Sequence, residues 1–321
     1  MLAFTAAVIV GFAVLVWSAD KFIFGAAALA RNLGVSTMVI GLTIVGFGTS
    51  APELMVSTFA ALQGNPGIAV GNAIGSNIAN IALILGVTAL IAPLAVQSRT
   101  LKRELPLLLA VMLFGGWLLW DDFLGRLDGI LMLGLLGAIT VWLVYDGLHA
   151  KPGDPLQSEL EEELPEHVPM SKSLFWLVVG LALLLGSSQI LVWGAAGIAS
   201  ALGISDLVIG LTVVAIGTSM PELAASVVSA RRGEPDLALG NVIGSNMFNL
   251  LGVLGLPGLL APSVLPPEVM GRDYPFMLVL TVAMVVMAFG FGQPGRINRI
   301  EGSLLLAAFV GYIGWLVYSV T

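Results

Sequence analysis

The stretch GLTIVGFGTSAPEL at residues 41 to 54 returns as GLTVVAIGTSMPEL at residues 210 to 223, and a repeat of that length commits the chain to two halves of related structure. The offset is 169 (210 − 41). The same step carries GAA at 25 to 27 onto GAA at 194 to 196, GNAIGSNIAN at 71 to 80 onto GNVIGSNMFN at 240 to 249, and Ala92-Pro93 onto Ala261-Pro262. It runs without a gap as far as Arg103 and Pro106, which meet Arg272 and Pro275. The chain therefore reads as an ungapped duplication.

The medium follows from composition. The 321 residues are 58% hydrophobic and only 10% charged, whereas a soluble domain averages roughly 45 to 50% and 25%. Apolar stretches recur along the whole length, and many reach the roughly 20 residues a helix needs to cross a bilayer. We expect an all-α polytopic membrane protein with ten transmembrane helices, near residues 2–30, 38–63, 68–91, 104–120, 127–147, 173–200, 207–230, 236–260, 274–291 and 301–320. The N-terminus has no basic segment ahead of its apolar run, so it reads as the first span rather than a cleaved leader. Five spans per repeat is an odd number, which turns the second half upside down and makes two inverted five-helix repeats, residues 1–147 and 173–321.

Basic residues give the orientation, because cytoplasmic loops are enriched in Lys and Arg. One set of alternate loops holds Arg31, Arg99, Lys102, Arg103, Lys151, Lys172, Arg231, Arg232, Arg296 and Arg299, while the other holds Arg126 and Arg272. Both termini are thus expected outside the inner membrane, with the linker 148–172 in the cytoplasm. The formal charge of -7 comes from the region of that linker, since seven of the twenty carboxylates lie between Asp146 and Glu166, alongside only Lys151. Its proline and glutamate content and lack of an apolar face make it a solvated tether. No basic patch suggests nucleic-acid binding, and the absence of cysteine rules out thiolate sites and cysteine nucleophiles.

Two carboxylates fall deep inside apolar spans, Glu53 and Glu222, and they are repeat mates. Ionisable groups at that depth cost several kcal/mol by most estimates and mark function. Thr49 and Ser50 precede Glu53 by four and three residues, as Thr218 and Ser219 precede Glu222, a spacing that puts hydroxyls and carboxylate on one helical face. Asp20 stands apart, because it adjoins Lys21 and its mate is Gln189; a local ion pair or an interfacial position is expected. Pro52 and Pro221 remove a backbone donor and loosen the preceding turn, freeing carbonyls that a cation could satisfy. In the second motif Ser76, Asn77 and Asn80 share a face, as do Ser245, Asn246 and Asn249, with interhelical packing the competing role for these residues. Every candidate ligand is oxygen, and both histidines, His149 and His167, lie in the linker. Hard cations are implied, and calcium, with six to eight oxygens in flexible geometry, suits the set better than magnesium.

The doubled GTS-x-PE and GN-x-IGSN motifs resemble the sodium/calcium exchanger branch of the cation/calcium exchanger superfamily, over nearly the whole chain. That resemblance implies a secondary antiporter rather than an enzyme, working by alternating access with about three sodium ions exchanged for one calcium, and no cofactor. It makes Glu53, Glu222, Thr49 and Thr218 calcium ligands, with sodium sites using Ser50, Ser76, Ser219 and Ser245, and Asn80 and Asn249 at the centre. Pro52, Pro221, Asn77 and Asn246 would support them. Some relatives carry aspartate where this chain has Asn249, which argues against potassium co-transport. The ratio implies electrogenic exchange, and proton/calcium or other cation exchange on the same paired glutamates is the alternative. A serine hydrolase using Ser50 or Ser219 lacks any intramembrane histidine, or a lysine in these motifs, to activate it.

Overall fold

The computed structural model describes residues 1–34, 48–96, 99–148, 168–233, 235–289 and 295–319. The first part of the expected second span, with Gly46, and most of the acidic linker lie outside the described residues. The helices are α1 Leu2–Asn32, α2 Ala51–Leu62, α3 Pro66–Ile91, α4 Arg99–Leu118, α5 Arg126–Leu148, α6 Met170–Leu202, α7 Asp206–Thr218, α8 Met220–Arg232, α9 Pro235–Leu260, α10 Val269–Phe289 and α11 Arg299–Tyr318. Two short antiparallel ribbons complete it, β1 (Leu94–Ala95) with β4 (Arg296–Ile297) and β2 (Phe123–Leu124) with β3 (Ser263–Val264). Among the described residues, seven helices are long and apolar enough to cross a membrane, or eight when α7 and α8, bent by 43° to one another, are counted as one span. The chain is a helical multi-pass membrane protein.

Local chemistry sets the breaks. Gly34 and its mate Gly203 turn the chain after α1 and α6 at φ +78° and +66°, and Gly64 and Gly233 do so after α2 and α8 at +81° and +85°. Those left-handed conformations are open to glycine at little cost. The two GTS-x-PE segments break at Ser50 (φ −83°, ψ 7°) and Ser219 (φ −84°, ψ 8°), nearly identical backbones at equivalent positions. Pro52 and Pro221 lie in the first turn of the helices that follow, where the missing N–H would have had no partner. The prolines therefore start new half-helices and do not kink continuous ones.

Two helices occupy the centre. In α3 and α9, 78% of the apolar window is buried, against 22 to 39% in the other five unbroken spans, which turn apolar side chains outward. Each central helix contains one π-helical stretch, 79–84 and 249–253. There Leu85 N–H donates to Asn80 O and Leu254 N–H to Asn249 O, a five-residue step. Such bulges re-aim side chains and recur at functional sites.

Close packing rests on the repeated glycines. A Cβ on Gly75 would lie 2.8 Å from Leu211 Cα, and one on Gly71 2.5 Å from Leu207 O, so α3 and α7 meet backbone to backbone in the small-residue manner of membrane helices. Along α1 and α6, Gly11 faces Leu191, Phe22 faces Gly180 and Gly25 faces Leu177. The partner number falls as the first rises, so these two helices run antiparallel.

The halves also interlock. Gly129 of α5 packs against Gly255 and Leu259 of α9, and Gly302 of α11 against Gly86 and Leu90 of α3; both ribbons likewise pair a strand before residue 148 with one after 168. These contacts correct the register of the duplication. Gly129 and Gly302, like Arg126 and Arg299 at the starts of α5 and α11, differ by 173 (302 − 129), while Gly86 and Gly255 keep 169 (255 − 86). The second half thus has four extra residues between its fourth and fifth helices, around 290–295, past the point where the ungapped match was traced.

Candidate cation site

The breaks at Ser50 and Ser219 bring the two glutamates into one buried centre, because each half-helix reaches the other half of the molecule. Glu53 and Glu222 are both 0% exposed. Ser219 Oγ donates to Glu53 Oε1 at 3.0 Å, and Ser50 Oγ donates to Glu222 Oε1 at 3.3 Å. Ser245 Oγ adds a 3.4 Å contact to the same Glu222 oxygen. Unbroken helical spacing would turn each serine toward the glutamate of its own helix; instead the bonds cross over. Since Ser50 and Ser219 are the residues at which the helices break, α-helical spacing does not extend through them.

A second layer, formed by residues outside the candidate set above, holds the breaks in place. Asn72 Nδ2 donates to Glu53 O at 3.1 Å and to Ser57 Oγ at 2.9 Å, while its Oδ1 accepts from Thr218 Oγ1 at 3.0 Å. Asn241 repeats the pattern: Nδ2 donates to Glu222 O at 3.4 Å and Ser226 Oγ at 3.3 Å, and Oδ1 accepts from Thr49 Oγ1 at 3.3 Å. Ser57 and Ser226 pass the chain on to Ala69 O and Ala238 O. Exchanging the repeats maps this network onto itself. The signal was present in the sequence, because Asn72 and Asn241 open the doubled GN-x-IGSN motif.

At the centre the symmetry breaks. Asn80 Nδ2 donates to Asn246 Oδ1 at 3.1 Å. The mated bond from Asn249 to Asn77 is absent, for Asn77 Nδ2 points to Met277 Sδ at 3.5 Å and both polar atoms of Asn249 are buried without a partner. The mate of Met277 is Leu108, which has no sulfur to offer. Ser76 Oγ, Asn77 Oδ1, Asn80 Oδ1, Glu53 Oε2 and Glu222 Oε2 are likewise buried and unpartnered. With Asn249 Oδ1 they make six oxygens with no hydrogen-bond partner, where such groups are ordinarily satisfied. Unpaired carboxylate and amide oxygens suit a hard cation.

Other carboxylates sort differently. Asp20 and Lys21 pair at 2.7 Å on an exposed face, as expected. Glu104, Asp236 and Asp273 are buried although they lie at the ends of the expected spans, so the glutamate pair is not alone in being enclosed. Asp273 is held by Arg272 at 2.7 Å and by the Tyr312 hydroxyl at 2.8 Å.

The family model described as sodium/calcium exchanger protein matches residues 3–145 and 172–318 of the chain. A putative antiporter CaxA from Alkalimonas amylolytica is 54% identical over 312 residues, 97% of this chain and 98% of that protein. The sodium/calcium exchanger MaX1 from Methanosarcina acetivorans is 34% identical over 349 residues, 97% of each. Among solved structures, the sodium-calcium exchanger NCX_Mj soaked with sodium and strontium aligns over 98% of both chains, with a TM-score of 0.69 and 33% identity.

Proposed function

The chain belongs to the sodium/calcium exchanger family, and we propose that it exchanges sodium for calcium by alternating access at the site around Glu53 and Glu222. The observation that carries this assignment of the site is the set of six buried, unpartnered oxygens contributed by both halves. The ions are cargo, and the protein is a secondary transporter rather than an enzyme.

In this reading Glu53, Glu222, Thr49 and Thr218 ligate calcium, which takes six to eight oxygens. Ser50, Ser76, Ser219 and Ser245 line flanking sodium sites, and Asn80 and Asn249 close the centre from the two π-helical stretches. Two carboxylates enclosed together repel, so the doubly charged empty site resists passage through the membrane. One calcium cancels that charge, and three sodium ions exceed it by one. Exchange is therefore electrogenic, and Asn249 in place of a carboxylate leaves no additional charge to balance a potassium ion.

The scaffold is ten transmembrane helices in two inverted five-helix repeats, residues 1–147 and 173–321. Beside the seven spans and the bent eighth, α2 supplies the second half of a broken span mated to α7 and α8, and α4 is the mate of α10. The antiparallel packing of α1 on α6, which are repeat mates, supports the inversion. The loop charges place both termini outside the inner membrane and the 148–172 linker in the cytoplasm.

The test is radioactive calcium uptake into proteoliposomes under opposed sodium and proton gradients with the potential monitored. Uptake driven by outward sodium is expected to leave the vesicle interior negative, because three sodium charges depart for every two calcium charges that enter. Uptake that followed the proton gradient alone would replace sodium by protons as the driving ion, and sodium-driven flux that left the potential unaffected would remove the 3:1 ratio.

A further inference from the structure

Helices α4 and α5 enclose a groove of about 570 Å³ with Lys102 and Arg103 at one end and Leu107, Ile139 and Trp142 along it. We propose that it binds one anionic phospholipid, the phosphate held by Lys102 with Arg103 and an acyl chain lying along Leu107, Ile139 and Trp142. The inference needs only the membrane setting and stands apart from the ion-exchange reading.

The molecule carries its own control, because the repeat supplies a second copy of this groove that is filled. Position for position, Gly271 stands for Lys102, Arg272 for Arg103, Phe276 for Leu107, Tyr312 for Ile139 and Trp315 for Trp142. The two tryptophans do the same thing, each with its arginine over the ring, at 5.3 Å for Arg103 and 5.7 Å for Arg272. What differs is the filling between the helices. In the second copy the Phe276 and Tyr312 rings stack at 4.6 Å and 7° and fill the space between the helices. Asp273 is doubly bonded to Arg272, at 2.7 and 3.2 Å, and takes a third bond from Tyr312. The first copy has neither ring, so the groove stays open.

Charge says what fills it. Lys102 and Arg103 are exposed, and Glu104 behind them is buried. Arg99, Lys102 and Arg103 open α4, and its first turn contains no acid. The helix N-terminus adds positive potential at the same end. Basic pockets between helices recruit anionic headgroups, and an apolar groove facing hydrocarbon accepts a chain. A free phosphate would use the cations and leave the groove wall bare, so the phospholipid is the occupant that uses the whole site.

The experiment is photolabelling of the full-length protein in phosphatidylcholine nanodiscs with a photoreactive phosphatidylglycerol, followed by peptide mapping. Labelling of α4 and α5 is expected, displaced by unlabelled phosphatidylglycerol but not by phosphatidylcholine. Lys102→Gln should weaken that displacement about fivefold, from the attraction contributed by one basic residue near a lipid surface. Leu107→Phe combined with Ile139→Tyr, which copies the filled groove, should abolish the label, with thermal stability in detergent confirming that both variants remain folded. Equal displacement by phosphatidylcholine, displacement by glycerol phosphate alone, or labelling unchanged in both variants would overturn the proposal.

Discussion

At the scale of the residue, the site is built from crossed hydrogen bonds, and their removal should separate ligation from positioning. Glu53→Gln and Glu222→Gln each delete one of two carboxylates, and loss of sodium-dependent calcium uptake at normal expression is expected for both. Retention of flux in both variants would remove the site assignment. Asn72→Ala is a different lesion, since it strips a buried amide that serves Glu53 O, Ser57 and Thr218 at once. Leaving buried groups unsatisfied costs about 1 to 3 kcal/mol each. Uptake should fall with a clear loss of thermal stability, and Asn241→Ala should do the same because its bonds are the mates, though they are longer at 3.3 to 3.4 Å. A thermal shift for Asn72→Ala larger than that for Glu53→Gln is the expected signature of a positioning residue.

At the scale of the element, glycine decides how closely helices approach. Gly71→Ala in α3 would drive a methyl to 2.5 Å from Leu207 O, against backbone that cannot give way, and overpacking of this kind costs about 1 to 3 kcal/mol. Gly134→Ala in α5 meets nothing within 4 Å, and helix propensity favours alanine by up to about 1 kcal/mol. Unfolding measured in detergent should therefore show Gly71→Ala destabilised and Gly134→Ala unchanged or stabilised. A large loss in the second variant would mean that α5 packs against something at that face. Helix breaks obey the same logic: Ser50 and Ser219 have one backbone geometry because the same prolines follow them two residues on.

At the scale of the whole molecule, the two halves form one body, since the fifth helix of each packs on the third of the other. Protease cleavage in the 149–167 segment should leave the halves associated and calcium uptake intact. The chain has no cysteine, so a single engineered pair can report on the interlock. Ala95 and Arg296 are opposite partners across β1 and β4, within the Cα separation a disulfide spans. Ala95→Cys with Arg296→Cys should keep the cleaved halves on one non-reducing gel band, and free halves under oxidation would show that the ribbon does not form in the membrane.

The sequence by itself determined the membrane setting, the duplication and the two glutamates. Those are properties of composition, periodicity and an apolar run that tolerates a charge only for function. Helix breaks were legible from Gly, Ser and Pro, but their consequence was not. A broken helix loses its 3.6-residue phase, so which glutamate each serine meets was decided by how two half-helices cross. The same holds for Asn72 and Asn241, whose type and doubling were visible but whose partners Thr218 and Thr49, 146 and 192 residues away, meet them only in the packed molecule. The four-residue step before α11, the asymmetry between Met277 and Leu108, and the burial of Asp273 were likewise settled by tertiary contact. Local sequence sets where a helix starts and stops; it does not encode which distant backbone a glycine lies against, and that contact fixes the site.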